Sequence, residues 1–203
     1  MTLKLSVPNE IVLVYNVNGA INDVEPETMS VSTKYLDLEV QLTESTDGKI
    51  ETWSTVTTRP AFEIAFLKKE DGQLYVVLMN KRRKATDLPL TKLPGGYLRD
   101  GGNTQVNMQE KVLRDTGISF EPLSLRYLGK VIGHPEIHTP IALYYTADWR
   151  KTGKPCPGVE IFEVPFETAV DLATDGEIEN DSSFSVIMRL FVLNQKGMLI
   201  VHI

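Results

Sequence analysis

Leu93-Pro94-Gly95-Gly96-Tyr97-Leu98-Arg99-Asp100-Gly101-Gly102-Asn103-Thr104 is the stretch on which the reading of this chain turns, with residues 105–115 and then Thr116-Gly117-Ile118 behind it. A proline, two glycine pairs and a polar Asn-Thr describe a loop whose backbone can take unusual angles and approach other chain closely. Asn103 or Thr104 supplies a short side-chain oxygen able to cap the first turn of a helix. Gly117 supplies the left-handed residue that ends one. The spacing predicts a helix from about Gln105 to Thr116, and a glycine loop running into a helix is a shape suited to handling phosphate.

Residues three and four apart on a helix share a face. Lys111, Arg114 and Asp115 therefore point together, beside the glycine loop. Two of the three are cations, which repel a divalent metal and attract phosphate directly. A plainer reading has Glu110 with Arg114 and Lys111 with Asp115 as i,i+4 ion pairs on a solvated helix, each worth a few tenths of a kcal/mol.

The chain has 203 residues, enough for one sizeable core or for a core with a small accessory subdomain. Its 42% hydrophobic and 24% charged content is that of an ordinary soluble protein. A net charge of −6 argues against general nucleic-acid binding, which needs cations to neutralise phosphates. No apolar run approaches the length that spans a bilayer, and the first residues lack the apolar core of a signal peptide. The single cysteine, Cys156, excludes an internal disulfide and suits a reducing cytoplasm. No membrane and no nucleic acid are expected as partners.

Ahead of the glycine loop the sequence is rich in strands. Residues 11–15 are a short apolar run, 35–42 alternate apolar with polar, and Asp47-Gly48 turns the chain into residues 49–57. A second hairpin joins 62–67 to 74–79 through Asp71-Gly72, and its second strand is apolar nearly throughout, as burial on both faces requires. The basic run Asn80-Lys81-Arg82-Arg83-Lys84 follows, read either as a solvated turn or as charge placed beside the glycine loop.

After the helix, residues 125–133 and 141–147 read as strands. His134 and His138 lie between them, but Pro135 falls inside the interval and the flanks are strand-like, unlike a helical zinc motif. Residues 159–165 read as a strand and 166–174 as a short helix. Asn180 or Asp181 caps a last helix from Ser182 to about Gln195, and 198–203 read as an edge strand. Strands, loop and helix, strands, helix: the order describes an α+β sandwich with a mixed sheet.

From Gly96 to Ile118 the stretch resembles, with no gap, the signature of the Nudix hydrolases, Gly-x5-Glu-x7-Arg-Glu-aliphatic-x-Glu-Glu-x-Gly-aliphatic. Leu93, Pro94, Gly95, Gly96, Val112, Thr116, Gly117 and Ile118 match the structural positions. The acidic positions do not match. Gly102, Lys111 and Arg114 stand where the family has glutamates, Glu110 stands where it has arginine, and only Asp115 remains acidic. The resemblance implies a Nudix α/β/α sandwich over residues 59–203, preceded by a β-rich segment, 1–58, on the dimerisation and substrate side.

Residues 48–59, Asn80-Lys81-Arg82 and Asp175-Gly176-Glu177-Ile178 are similar to the ADP-ribose, or nucleoside diphosphate sugar, pyrophosphatase branch. That branch implies a homodimer gripping its substrate between subunits. It also implies that Trp53 stacks on adenine, Arg59 and Arg82 hold phosphates or the loop, the Gly95 carbonyl binds metal, and Glu160 serves as general base. Lys92 stands where the branch usually has a glutamate. Two functional readings follow. In the first, the fold binds a nucleoside diphosphate derivative through Lys111, Arg114, Lys92, Arg82 and Arg59, with weak or no metal-dependent hydrolysis and no obligatory cofactor. In the second, it is an active pyrophosphohydrolase that uses magnesium or manganese held by Asp115, the Gly95 carbonyl, Glu160 and Asp100, with Asp115 and Glu160 as catalytic groups.

Overall fold

The computed structural model describes residues 12–13, 27–32, 36–44, 50–82, 87–98, 104–134 and 137–201. The chain divides into two compact units, residues 1–59 with 132–139, and residues 60–131 with 140–203. In the first, β1 (Val12–Leu13), β2 (Glu27–Ser32), β3 (Leu36–Glu44) and β4 (Ile50–Thr58) form an antiparallel meander. Residues 137 and 138 add to it by pairing parallel with Val56 and Thr57. The Asp47-Gly48 turn expected between β3 and β4 lies outside the described residues.

The second unit contains, in chain order, β5 (Ala61–Glu70), β6 (Gln73–Arg82), β7 (Pro89–Lys92), β8 (Gly95–Tyr97), α1 (Thr104–Thr116), β9 (Ile118–Phe120), a 3-10 turn (Pro122–Ser124), β10 (Arg126–His134), β11 (Ile137–Thr146), β12 (Trp149–Lys151), β13 (Val159–Pro165), α2 (Phe166–Thr174) and α3 (Asp181–Gln195), with β10 and β11 contributing residues to both units. Asp71 and Gly72 join β5 to β6 with φ of 50° and 81°, the positive angles that a two-residue hairpin demands. β6 also pairs antiparallel with β7 and β13. β5 pairs antiparallel with β6 over Leu67–Glu70 and with β8 over Ala61–Glu63 on the same edge, and its other edge takes residues 141–146 of β11 in parallel. The sheet is therefore mixed.

Strand alternation makes three layers. Phe62, Ile64 and Phe66 of β5 and Val77 of β6 pack against Met108 and Val112 of α1. Ala65, Leu67, Val76 and Leu78 pack on the other face, against Phe166, Ala169 and Ala173 of α2 and Val186, Ile187 and Leu190 of α3. A sheet covered by helices on both faces has no polar face to show, and this explains why Val76 to Met79 are all buried. Trp149 completes the α1 side, its indole N–H donating to the Leu67 carbonyl at 2.8 Å.

Two details depart from the sequence reading. The glycine stretch is not all loop: Gly95–Tyr97 is the strand β8, which pairs with β5 from Ala61 to Glu63. A Cβ on Gly95 would lie 2.3 Å from the Phe62 carbonyl oxygen, so only glycine allows this pairing. The expected strand after α3 is absent over residues 198–201. Gly197, at φ 64°, ends α3, the Met198 N–H returns to the Leu193 carbonyl, and Leu199 and Val201 pack against the core beside α2 and α3. Among the described residues, no helix is long and apolar enough to cross a membrane.

The support behind the glycine stretch is a polar group of four side chains, three of them buried and Asn180 half-buried. Asn180 caps α3, its Oδ1 accepting from the Ser183 N–H at 3.0 Å. Ser183 Oγ donates to Glu63 Oε2 at 2.6 Å and accepts from the Leu93 N–H at 3.0 Å. Lys92 Nζ donates to the other Glu63 oxygen at 2.5 Å. The start of α3, the middle of the sheet and the Leu93-Pro94 corner are thereby joined, and each buried charge has a partner.

Removing one member of such a pair strands the other. Lys92→Met is expected to destabilise the protein by about 3–5 kcal/mol in urea unfolding, and adding Glu63→Gln to recover a substantial part of that loss. A double variant no more stable than Lys92→Met alone would show that the ion pair is not what the site rests on.

Candidate functional site

The described residues that the sequence singled out on α1 do converge, and they do so on Asp115. Asp115 lies in the last turn of α1 with its side chain 9% exposed. Its Oδ2 accepts from Lys111 Nζ at 3.0 Å and from Lys81 Nζ at 3.4 Å, and its Oδ1 accepts from Arg114 Nε at 3.0 Å. Lys111–Asp115 is thus the expected i,i+4 pair, whereas Arg114 turns to its sequence neighbour. Lys81 was read only as part of the basic run 80–84 and not as a site residue. It comes from the far end of β6, where strand alternation puts it on the same face as Val77, toward α1.

Local packing fixes Asp115 in place. Thr116 Oγ1 donates back to the Val112 carbonyl at 2.7 Å and accepts from the Ile118 N–H at 3.1 Å, closing the helix. Gly117 follows at φ 73°, where an added Cβ would meet the Gly153 carbonyl oxygen at 2.5 Å. The Thr152 and Gly153 N–H groups donate to the Gly117 carbonyl, and the Cys156 N–H to that of Asp115. Loop 152–158 therefore clasps the end of α1. At the other side Lys111 lies across Gly96, where a Cβ would come within 2.2 Å of Lys111 Cε. The glycine leaves the room that the lysine side chain fills.

Electrostatics follow from this geometry. Burial alone would push the Asp115 carboxyl up. The hydrogen bond and charge of Lys111, the charge of Lys81 and the hydrogen bond from Arg114 outweigh burial and hold the group below its usual value. Lys111 is 21% exposed, Lys81 41% and Arg114 53%, so the cluster has a buried anion and cations that reach solvent. Three cations against one carboxylate leave the cluster with an excess of positive charge.

This donor set does not fit the divalent metal that the resemblance implies. Magnesium takes several oxygen ligands. Here both oxygens of Asp115 are already taken by cations, and the positions on its face carry an ammonium and a guanidinium. Among the described residues, no group of three or more His, Cys, Asp or Glu is placed to hold a metal.

The other candidates are dispersed. Glu160, in β13, pairs with Asn80 and is exposed. Ile161 packs toward α1, while Phe162 and Val164 pack toward α2 and α3, so alternation turns Glu160 to the face away from Asp115. Lys92 is buried on Glu63 and does not join the cluster. Arg82 is exposed and holds Asp87, with Nη2 to Oδ2 at 2.8 Å and Nε to the Asp87 carbonyl at 3.0 Å, fastening the ends of the loop between β6 and β7. Gly95 is in β8. Arg59 follows β4 and closes the first unit. Trp53 pairs with Gln41 in the meander, and its side chain lies outside the described residues, as do Asp100, Gly101, Gly102 and Asn103. His134 ends β10 and His138 lies in β11, so neither is helical.

No family model matches the sequence, and no curated protein does. Among solved structures the chain is similar to the crystal structure of an ADP compounds hydrolase, with a TM-score of 0.64 and 12% sequence identity over 96% of this chain and 100% of that one. The likeness is one of fold. The chain has a Nudix-like α+β fold, with a mixed sheet and three helices.

Because the Asp115 pKa is lower in the folded chain than in the unfolded one, its ionised form stabilises the fold above about pH 4 and that stability is lost as pH falls through the folded value. Asp115→Asn is expected to lower stability by about 1–3 kcal/mol at pH 7. In urea unfolding the gap between wild type and variant should close as pH falls from about 7 to below about 4. A gap that stays constant across that range would contradict the ion-paired assignment.

Proposed function

We propose that this chain binds a nucleoside diphosphate derivative of the ADP-ribose kind, using side-chain cations where relatives of the fold use metal, and that it hydrolyses such compounds weakly or not at all. The observation that carries the reading is the engagement of both Asp115 oxygens by Lys111, Lys81 and Arg114. Metal positioning and water activation each remove several kcal/mol from a hydrolytic barrier. A face that presents ammonium and guanidinium groups instead offers hydrogen-bond donors to phosphoryl oxygens. The fold likeness to an ADP compounds hydrolase supports the ligand class.

In this reading Lys111 and Arg114 face the diphosphate, Arg82 keeps the β6–β7 loop closed, and Lys92 supports the glycine stretch from within. Trp53 and Arg59 are proposed for the base and the far phosphate, and the chain is proposed to act as a homodimer. The same fold likeness favours a second reading, a divalent-metal-dependent pyrophosphohydrolase using Asp115 and Glu160.

ADP-ribose at about a hundred times its Kd is expected to stabilise the protein by about 2.7 kcal/mol, seen as a rise in Tm of several degrees, and to do so in the presence of a chelator. No shift across ADP-ribose, ADP and UDP-glucose would overturn the binding reading. Release of phosphate-containing products with manganese, lost on Asp115→Asn and on Glu160→Gln, would replace it with the second.

A further inference from the structure

We infer that Lys81 is a third phosphoryl-binding cation of this site, and that the Lys81–Lys111–Arg114 seat takes its anion free of metal, so that magnesium acts against binding. The inference rests on the reading above and deepens it. Lys81 reaches α1 at Asp115: its Nζ lies 3.4 Å from the carboxylate across 34 residues of sequence. An ammonium carries three N–H donors and a guanidinium five. Each of the three cations gives one to Asp115, and among the described residues their side chains form no other hydrogen bond or ion pair. Lys81 and Lys111 meet at Oδ2 of this buried carboxylate and Arg114 at Oδ1, and Lys111 lies across Gly96, which carries no side chain to block it.

Charge decides which form of ligand fits. With three cations and one carboxylate, the seat has a net charge of two positive units, the opposite of the two negative charges on a diphosphate esterified at both ends. When magnesium is bound to a diphosphate, its oxygens are shared with the metal and much of their charge is cancelled. That complex then brings a cation toward cations, a like-charge approach. Magnesium should therefore compete with the protein for the ligand. The effect is larger for inorganic pyrophosphate, which chelates metal strongly, than for ADP-ribose, whose diphosphate is substituted at both ends.

The test is calorimetric titration of the full chain with inorganic pyrophosphate and, separately, with ADP-ribose, each in chelator and in millimolar magnesium chloride at matched ionic strength. In chelator, pyrophosphate is expected to bind, and Lys81→Met to weaken it about tenfold, the loss of one charge-assisted hydrogen bond. Lys81→Arg should stay within about threefold of wild type, and Lys196→Met, which removes an exposed cation at the end of α3, should leave binding unchanged. Magnesium should weaken pyrophosphate at least about tenfold and ADP-ribose by less. Binding strengthened by magnesium, or unchanged in Lys81→Met, would overturn the inference. ADP-ribose bound where pyrophosphate is not would overturn the seat while leaving the nucleotide reading in place; neither ligand bound would overturn both.

Discussion

A carboxylate in the last turn of a buried helix face is in an unfavourable place. The carbonyl end of the helix carries partial negative charge, and burial removes the water that would otherwise stabilise an anion. Asp115 is in that position, and the cations around it outweigh burial and favour its ionised form. In the family that the sequence resembles, a metal meets this requirement; here Lys111, Arg114 and Lys81 meet it. The helix, the strand end and the glycine stretch are arranged so that these three side chains can arrive together. Arg114, at the negative end of the helix, is favourably placed for the same reason that Asp115 is not.

Such a cluster needs a stiff frame. Gly95 lets β8 lie on β5, Gly96 lets Lys111 lie across β8, and Gly117 lets loop 152–158 close over the helix end. Behind the Leu93-Pro94 corner, Glu63, Lys92 and Ser183 lock the sheet to the start of α3. A buried ion pair of this kind adds little net stability, but it fails badly when half is removed, so it acts as a specifying device for the corner. The whole chain carries −6. A cationic spot on an otherwise anionic chain concentrates field at the spot.

Much of this frame was written in local sequence. Apolar alternation in β5 and β6, the Asp71-Gly72 turn, the Asn180 cap and the 3.6-residue spacing of α1 and α3 each act within a few residues, and they place the layers. The convergence of Lys111, Arg114 and Asp115 is likewise a property of one helix. What could not be read lies between elements. Lys81 reaches Asp115 from a strand end and Lys92 finds Glu63 across 29 residues, so the sequence showed Lys81 as one charge in a basic run and Lys92 as a phosphate-binding cation, without the carboxylate that each one meets. Glu160 sits among Val159, Ile161 and Phe162 in a strand with apolar residues on both faces, so its facing could not be derived from alternation alone. β8 and the β9–β12 pair are three residues long, too short for a periodic signal.

Calorimetric titration with magnesium chloride, wild type set against Lys111→Glu/Arg114→Glu, tests most directly whether positive side chains have taken the place of the metal on α1. No saturable binding by wild type up to about ten millimolar, and saturable binding by the double variant, is the predicted result, since two carboxylates added beside Asp115 supply the oxygens a hard divalent cation takes. Saturable magnesium binding by the wild type that disappears on Asp115→Asn would contradict it.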